Sequence, residues 1–283
     1  MCMRYFKLVI IFCFFYIGSG CEKKTAENPA TPPLPGGPPP TDTTSNLRVM
    51  TYNIHHANPP AGNTIDMNAI ANVIKNQNPH LVAIQEVDVY TTRSGTTLHQ
   101  AEELGRLTNM KAYFGKTIDY AGGEYGVAIL SKFPISDMKN QQLPTEPGTG
   151  GERRTLASAV ITLGNAKKLV FASTHLDAQT DDTNRFLQIT KIKEFLQMET
   201  LPVIVAGDFN ATPGTRIINT LDSYFTRTCV TGCGFTIPPQ NPTRTIDFIA
   251  YATSHKFTVL EHKVIDEKFA SDHLPVLSVV RIK

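Results

Sequence analysis

Five short apolar runs in this 283-residue chain stop at a polar residue of metal-binding or proton-handling type, and a sixth begins just after one. They are Met50-Thr51-Tyr52-Asn53, Ala83-Ile84-Gln85-Glu86, Ala172-Ser173-Thr174-His175, the run from Val203 to Asp208, and Thr245-Ile246-Asp247; Ser271-Asp272-His273 precedes the last. Runs this short, bounded by polar residues, suit buried strands better than helices. A polar side chain at the end of a buried strand is costly unless it finds a partner. Six such ends in one chain therefore point to a sheet-based fold whose strand ends converge on a cleft. In Gly207-Asp208-Phe209-Asn210 the carboxylate and the amide are two residues apart, so on extended backbone both point the same way.

Between these runs the periodicity changes. Met67, Ile70, Ala71 and Ile74 fall at helical spacing behind Thr64 or Asp66 as a cap, so residues 47–84 predict a β-α-β unit. A second helix is predicted over residues 98–110, with Leu104 and Leu107 inward. The longest, over 183–198, carries Phe186, Ile189, Ile192, Phe195 and Leu196 on one stripe, which reads as core. Residues 125–130, 156–163, 169–174, 246–251 and 274–282 read as strands, the second and third joined by Gly164-Asn165 as a hairpin. Hairpins mixed with separate helices predict an α/β fold, two mainly antiparallel sheets with helices outside, not a doubly wound parallel sheet. No internal repeat is visible in the sequence.

The first 46 residues do not resemble a folded core. Arg4 and Lys7 precede an apolar stretch over 8–17 that is too short for a permanent membrane span, and Gly18-Ser19-Gly20 leads to Cys21. This order predicts a secretory signal over 1–20. A Cys directly after small residues resembles the lipobox of bacterial lipoproteins, although Gly18 stands where that motif usually has Leu; the alternative is an ordinary signal with an incidental Cys. Residues 21–46 are proline-rich and without aromatics over 25–45, which suits an extended tether of roughly 3.1 Å per residue. Residues 47–283 suit one catalytic domain. Its formal net charge is +1, which offers no basic field for a nucleic acid polyanion. Cys229 and Cys233 are its only cysteines, and in an exported chain the expectation is a disulfide closing a tight loop.

Taken in order, Asn53, Glu86, His175, Asp208-x-Asn210, Asp247 and Ser271-Asp272-His273 resemble the endonuclease/exonuclease/phosphatase superfamily, which includes deoxyribonuclease I, inositol polyphosphate 5-phosphatases and neutral sphingomyelinases. The resemblance implies a four-layer α-β-β-α sandwich and metal-dependent hydrolysis of a phosphoester by activated-water attack at phosphorus. It implies Asn53, Glu86 and Asp272 at the metal, with Mg²⁺ expected and Mn²⁺ as the alternative. It implies His175, Asp208, Asn210, Asp247 and His273 in catalysis, Asp208 orienting the water and Asp247 holding the His273 imidazole. Tyr125, Arg154 and Asp177 are candidates for substrate binding, Arg154 because a guanidinium fork matches phosphate oxygens. His55, His56, Asp88, Arg93 and Arg185 have weaker claims on the pocket. The expectation is thus an exported, membrane-tethered monomer anchored through Cys21, on the periplasmic side or the outer-membrane surface. Its substrate would be a lipid headgroup, sugar phosphate or nucleotide. The alternatives are an extracellular nuclease of the same superfamily and a surface binding lipoprotein without catalysis.

Overall fold

The structure is a computed structural model and describes residues 46–62 and 64–282. The expected signal, the lipidated Cys21 and the tether up to residue 45 lie outside the described residues; Asn46 already opens the first strand. In chain order the elements are β1 (Asn46–Asn53), a 3-10 turn (His55–Ala57), α1 (Met67–Gln77), β2 (Leu81–Val89), α2 (Gln100–Thr108), β3 (Lys111–Tyr120), β4 (Gly123–Ser131), β5 (Ile135–Leu143), β6 (Arg154–Thr162), β7 (Lys168–His175), α3 (Thr183–Leu196), β8 (Val203–Asp208), α4 (Arg216–Asp222), β9 (Phe225–Arg227), β10 (Asp247–Ala252), β11 (Phe257–Val264) and β12 (Val276–Ile282).

The strands form two six-stranded sheets, ordered β11-β12-β1-β2-β4-β3 and β5-β6-β7-β8-β10-β9. Each sheet has one parallel pair at its centre, β1 with β2 and β7 with β8, spanned by α1 and α3; the other pairs are antiparallel. The two orders match strand for strand. In each, an antiparallel pair flanks the strand before the crossover helix, and a second pair folds back beside the strand after it.

Three cores hold the layers together. Ile70, Ile74 and Leu104 of the first two helices pack on Met50, Tyr52 and Ile84 of one sheet. Ile189, Ile192, Ile218 and Leu221 of the other two pack on Val170, Val205 and Phe248 of the second. Val49, Ala83, Phe171, Ile204 and Ile249 fill the space between the sheets. The order is therefore α-β-β-α. β1, β2, β7 and β8 are buried along nearly their whole length, as strands covered on both faces must be.

Asp66 caps α1 by accepting from the Ala69 amide at 2.9 Å, and Asn78 ends it in the left-handed region at φ 49°. α2 is shorter than its periodicity predicts, because His99 is held in a β-bridge to Val89 and the helix begins one residue later. α3 stops at Leu196, short of the predicted 198. β3, β5, β9, β11 and α4 had no counterpart in the sequence pattern. β5 illustrates why: all but its last residue are exposed or partly exposed, so it shows no buried apolar face. Cys229 and Cys233 form a disulfide.

Candidate active site

Strand register brings the polar ends to one level. His175 stands opposite Asp208 across β7 and β8, and Asp208 stands opposite Asp247 across β8 and β10. In the facing sheet Asn53 stands opposite Gln85. Glu86 follows, where a bulge interrupts the pairing of β2 with β4 between Ile84 and Val87. Such a bulge re-aims a side chain, and Glu86 has the positive φ, 58°, that goes with it. Gly207 is required by contact: a Cβ there would strike the Thr174 carbonyl of the adjacent strand.

Asp208, 1% exposed, is the hub. Its Oδ2 accepts from Asn53 Nδ2 at 3.1 Å and lies 3.4 Å from His175 Nε2 and 3.7 Å from His273 Nε2. Its Oδ1 accepts from the Asn210 amide at 2.8 Å. Asn53 Nδ2 also donates to Glu86 Oε1 at 3.1 Å, so one side chain links the two carboxylates across the sheets. Asp247 holds His273 Nδ1 at 3.0 and 3.2 Å. Ser271 fastens the segment by donating from Oγ to the Asn53 carbonyl at 2.7 Å. Asp272 lies 3.4 Å from Ser271 Oγ and within electrostatic reach of His273, His56 and Tyr52.

Arg154 Nη1 lies 3.2 Å from His175 Nδ1. Both ring nitrogens therefore face donors, Nδ1 the guanidinium and Nε2 the Asn210 Nδ2 at 3.0 Å, while Nε2 also lies 3.4 Å from Asp208 Oδ2. Burial, Arg154 and His273 all hold His175 well below the usual histidine range, so its imidazole is neutral. His273 goes the other way. Burial, the largest single influence, would lower it, but Asp247, joined by Asp208 and Asp272, raises it to about 10, an imidazolium at neutral pH. Burial, reinforced by the Asp247 charge, pushes Asp208 up to about 7 against the opposing pull of His273 and Asn53.

The donor set fits a divalent cation. Glu86 has no cationic partner among the described residues and only the Asn53 amide on Oε1. One nitrogen each from His55 and His56 lies with a Glu86 oxygen within 4.8 Å of one another; Asp208, Asp247 and His273 form a second such group. His56 Nδ1 is buried with no partner among the described residues. His55 Nδ1 lies 2.9 Å from the Asn58 carbonyl, which fixes the proton there and leaves Nε2 as the lone pair. His55, His56, Glu86 and Asn210 all have positive φ, and backbone strain of this kind concentrates at functional sites.

Two of the substrate-binding candidates have partners within the protein. Arg154 is 5% exposed, with Nη1 on His175 and Nη2 on Glu152 at 2.9 Å, while its Nε is buried with no partner among the described residues. Asp177 is equally committed. It accepts from the Glu152 amide at 3.1 Å and from Asn184 Nδ2 at 3.2 Å, and it locks two loops. Arg185 donates to the carbonyls of Asp177 and Gln179 in the same knot. Tyr125 lies at the cleft edge in a cavity shared with Glu86, and burial followed by the Glu86 charge raises its hydroxyl well above the usual range.

Sequence reading missed Gln85. It accepts from Thr51 Oγ1 at 3.2 Å and donates to Ser173 Oγ at 3.3 Å, which ties the sheets together beneath the cleft. A glutamine at a position flanked by buried residues was the available signal. The ion pair of Asp88 with Arg93 was also missed as a pair, although both residues were noted.

These features define a phosphoesterase cleft on an α-β-β-α sandwich. The profile of the endonuclease/exonuclease/phosphatase family matches residues 50–278, and the chain belongs to that family. YbhP, an uncharacterised protein of Escherichia coli K12, is 23% identical over 253 residues, covering 83% of this chain and 96% of YbhP. A solved endonuclease/exonuclease/phosphatase of Beutenbergia cavernae superposes with a TM-score of 0.68 at 24% identity, covering 84% of this chain and 72% of that one. The mannosyl-6-phosphatase of Bacteroides thetaiotaomicron has the same fold, with a TM-score of 0.65, 19% identity, and coverage of 84% and 99%.

Proposed function

We propose that this phosphoesterase is a divalent-cation-dependent hydrolase that uses Asp208 to aim a water at phosphorus. The observation that carries the reading is the meeting of Asn53, His175 and His273 on one oxygen of Asp208, with Glu86 linked to it through Asn53. A cation, held by Asn53, Glu86 and Asp272 with Mg²⁺ expected and Mn²⁺ the alternative, would supply positive charge to the phosphate oxygens and the attacking water. Asp208 accepts a hydrogen bond from that water and orients it. His273, charged and fixed by Asp247, donates toward a phosphoryl oxygen and has a proton to pass to the leaving group. His175 faces Asp208 from the opposite side with Arg154 on its Nδ1, and Asn210 Nδ2 holds it in place, 3.0 Å from both His175 Nε2 and the Leu176 carbonyl.

The test is hydrolysis of bis-p-nitrophenyl phosphate and p-nitrophenyl phosphate by purified protein in EDTA, Mg²⁺ or Mn²⁺. Signal at least about 100-fold above the EDTA tube is expected with one of the metals. Equal, background-level signal in all three overturns the reading. The near-neutral charge of residues 47–283 favours a small phosphoester over duplex DNA. We read the first 45 residues as an export signal and a lipid anchor at Cys21 that holds a monomeric head off a membrane. Detergent-phase partitioning of the full chain, lost on Cys21→Ser, is the expected outcome; aqueous partitioning of both overturns it.

A further inference from the structure

The turn after β1 carries two histidines, His55 and His56, with no role in the hydrolysis. Their ring centroids lie 4.5 Å apart, and one nitrogen of each lies with a Glu86 oxygen within 4.8 Å of one another. A triangle with no side longer than 4.8 Å has a point within about 2.8 Å of every corner. Each donor therefore reaches a metal-bond length of roughly 2.1 Å by moving under about 0.7 Å. The donors are available. His55 Nδ1 lies 2.9 Å from the Asn58 carbonyl, which leaves Nε2 with the lone pair. His56 Nδ1 is buried with no partner among the described residues, a costly state for a polar atom. Glu86 Oε1 accepts from Asn53 at 3.1 Å, and Oε2 has no hydrogen-bond donor among the described residues. The backbone is set for this display. His55, His56 and Ala57 have φ of 46°, 44° and 57°, three successive non-glycine residues in a region disfavoured for any residue with a Cβ. Fixed partners hold them there. The His55 amide donates to Asn53 Oδ1 at 3.1 Å, Gln100 Nε2 to the His56 carbonyl at 2.7 Å, and the Asp66 amide to the Ala57 carbonyl at 2.8 Å. Strain sustained in this way accompanies functional positions.

Donor chemistry narrows the ion. Asn53, Glu86 and Asp272 offer oxygen alone, which suits a hard cation such as Mg²⁺. Two imidazoles and one carboxylate suit a borderline transition metal, and with three protein ligands a fourth position stays open. Charge agrees. Arg93, Asp88 and Asp272 lie within electrostatic reach of His56; the first two cancel as an ion pair, so Glu86 and Asp272 are the charges a divalent ion meets. We propose that His55, His56 and Glu86 form a binding site for a borderline divalent metal ion of the Zn²⁺ type. The nitrogen set and the oxygen set meet at Glu86, so an ion on the histidines sits beside the phosphate cleft. The site is defined by its own three residues and holds whether or not the chain hydrolyses a phosphoester.

Metal binding by the full chain, stripped with EDTA and with its free thiols alkylated, tests it. Calorimetry with Zn²⁺ is expected to show a site that excess Mg²⁺ does not displace, and Co²⁺ should give the visible absorption of a nitrogen-liganded ion. His55→Ala and His56→Ala should each weaken Zn²⁺ binding by at least about 100-fold, with unchanged far-ultraviolet spectra. In the parent, Zn²⁺ should shield both histidines from diethylpyrocarbonate, followed residue by residue by mass spectrometry, a measurement that needs no variant. Binding that survives the double variant His55→Ala/His56→Ala, or that is lost instead with His273→Gln, overturns the proposal. Equal modification of His55 and His56 with and without Zn²⁺, or no spectral change with Co²⁺ in the parent, does the same. Absence of bis-p-nitrophenyl phosphate hydrolysis removes the hydrolase reading and leaves these readouts untouched, since none of them is turnover.

Discussion

Replacing Asp88 with asparagine isolates the ion pair with Arg93, whose guanidinium lines the cavity that Tyr125 shares with Glu86. Asp88 is fully buried and takes four hydrogen bonds, two from Arg93 and one each from Thr91 and Ser94. The substituted amide keeps the shape, but it offers one acceptor oxygen and turns an NH₂ toward the remaining donors. Breaking a buried pair on one side costs about 3–5 kcal/mol. Arg93 keeps 31% of its side chain exposed, so water compensates in part, and about 2–3 kcal/mol is the expected loss. With a urea slope of about 3 kcal/mol/M for a domain this size, the midpoint should fall by about 0.7–1 M. The pH dependence gives an independent check. Burial raises the Asp88 pKa, but Arg93 and Ser94 outweigh it and hold the group below its ordinary 3.8. A carboxylate depressed in the folded state adds stability that is present above the unfolded pKa and lost as pH falls through the folded one. The gap between parent and Asp88→Asn should therefore close below pH 3.8. A midpoint shift under about 0.2 M at pH 7, or a gap that widens in acid, would refute the reasoning.

Other outcomes follow from the same geometry. Asp208→Asn should lower kcat by at least about 10³-fold while leaving the fold intact, read from steady-state kinetics and a thermal melt. In EDTA the parent should lose stability as pH rises from about 4, the unfolded carboxylate range, through the raised Asp208 pKa of about 7. Asp208→Asn should lack that decline, and a parallel pair of curves counts against it. Arg154→Met should let the His175 pKa climb toward 6.5, because Arg154 is one cause of its depression; imidazole proton shifts followed by NMR measure this, and no movement refutes the contact. Phe171→Ala, at the centre of the inter-sheet core, should cost about 3–5 kcal/mol in chemical denaturation.

Part of the site could be read from the chain because strand ends advertise themselves. Glu86, His175, Asp208 and Asp247 each close an apolar run, and the adjacent registers of β7, β8 and β10 turn that linear pattern into a cluster. Arg154 and Asp177 show where this reasoning stops. Residue type allowed both to face phosphate, but direction depends on contacts with Glu152, Asn184 and His175 from other elements, and no local pattern encodes those. The outer strands were illegible for a related reason: β5 sits at a sheet edge with most of its length wet, so burial left little mark on its sequence. The bulge at Glu86 was invisible too, since it is a mismatch with β4 and not a property of β2.

The matching strand orders of the two sheets also bear on how the chain could be cut. Half the fold runs from β5 to β10, and the other half is completed only when β11 and β12 return beside β1, with Asn46 opposite Arg281 and Arg281 Nε donating to Asn46 Oδ1 at 2.9 Å. The ends of the described domain are thus neighbours, and one half-fold is stored across the gap between them. Joining those ends and opening the chain between β4 and β5, near Phe133, would make a circular permutant in which each half is contiguous. Asn53 and Glu86 would stay in one half, and His175 and Asp208, at the ends of the two matching strands, in the other.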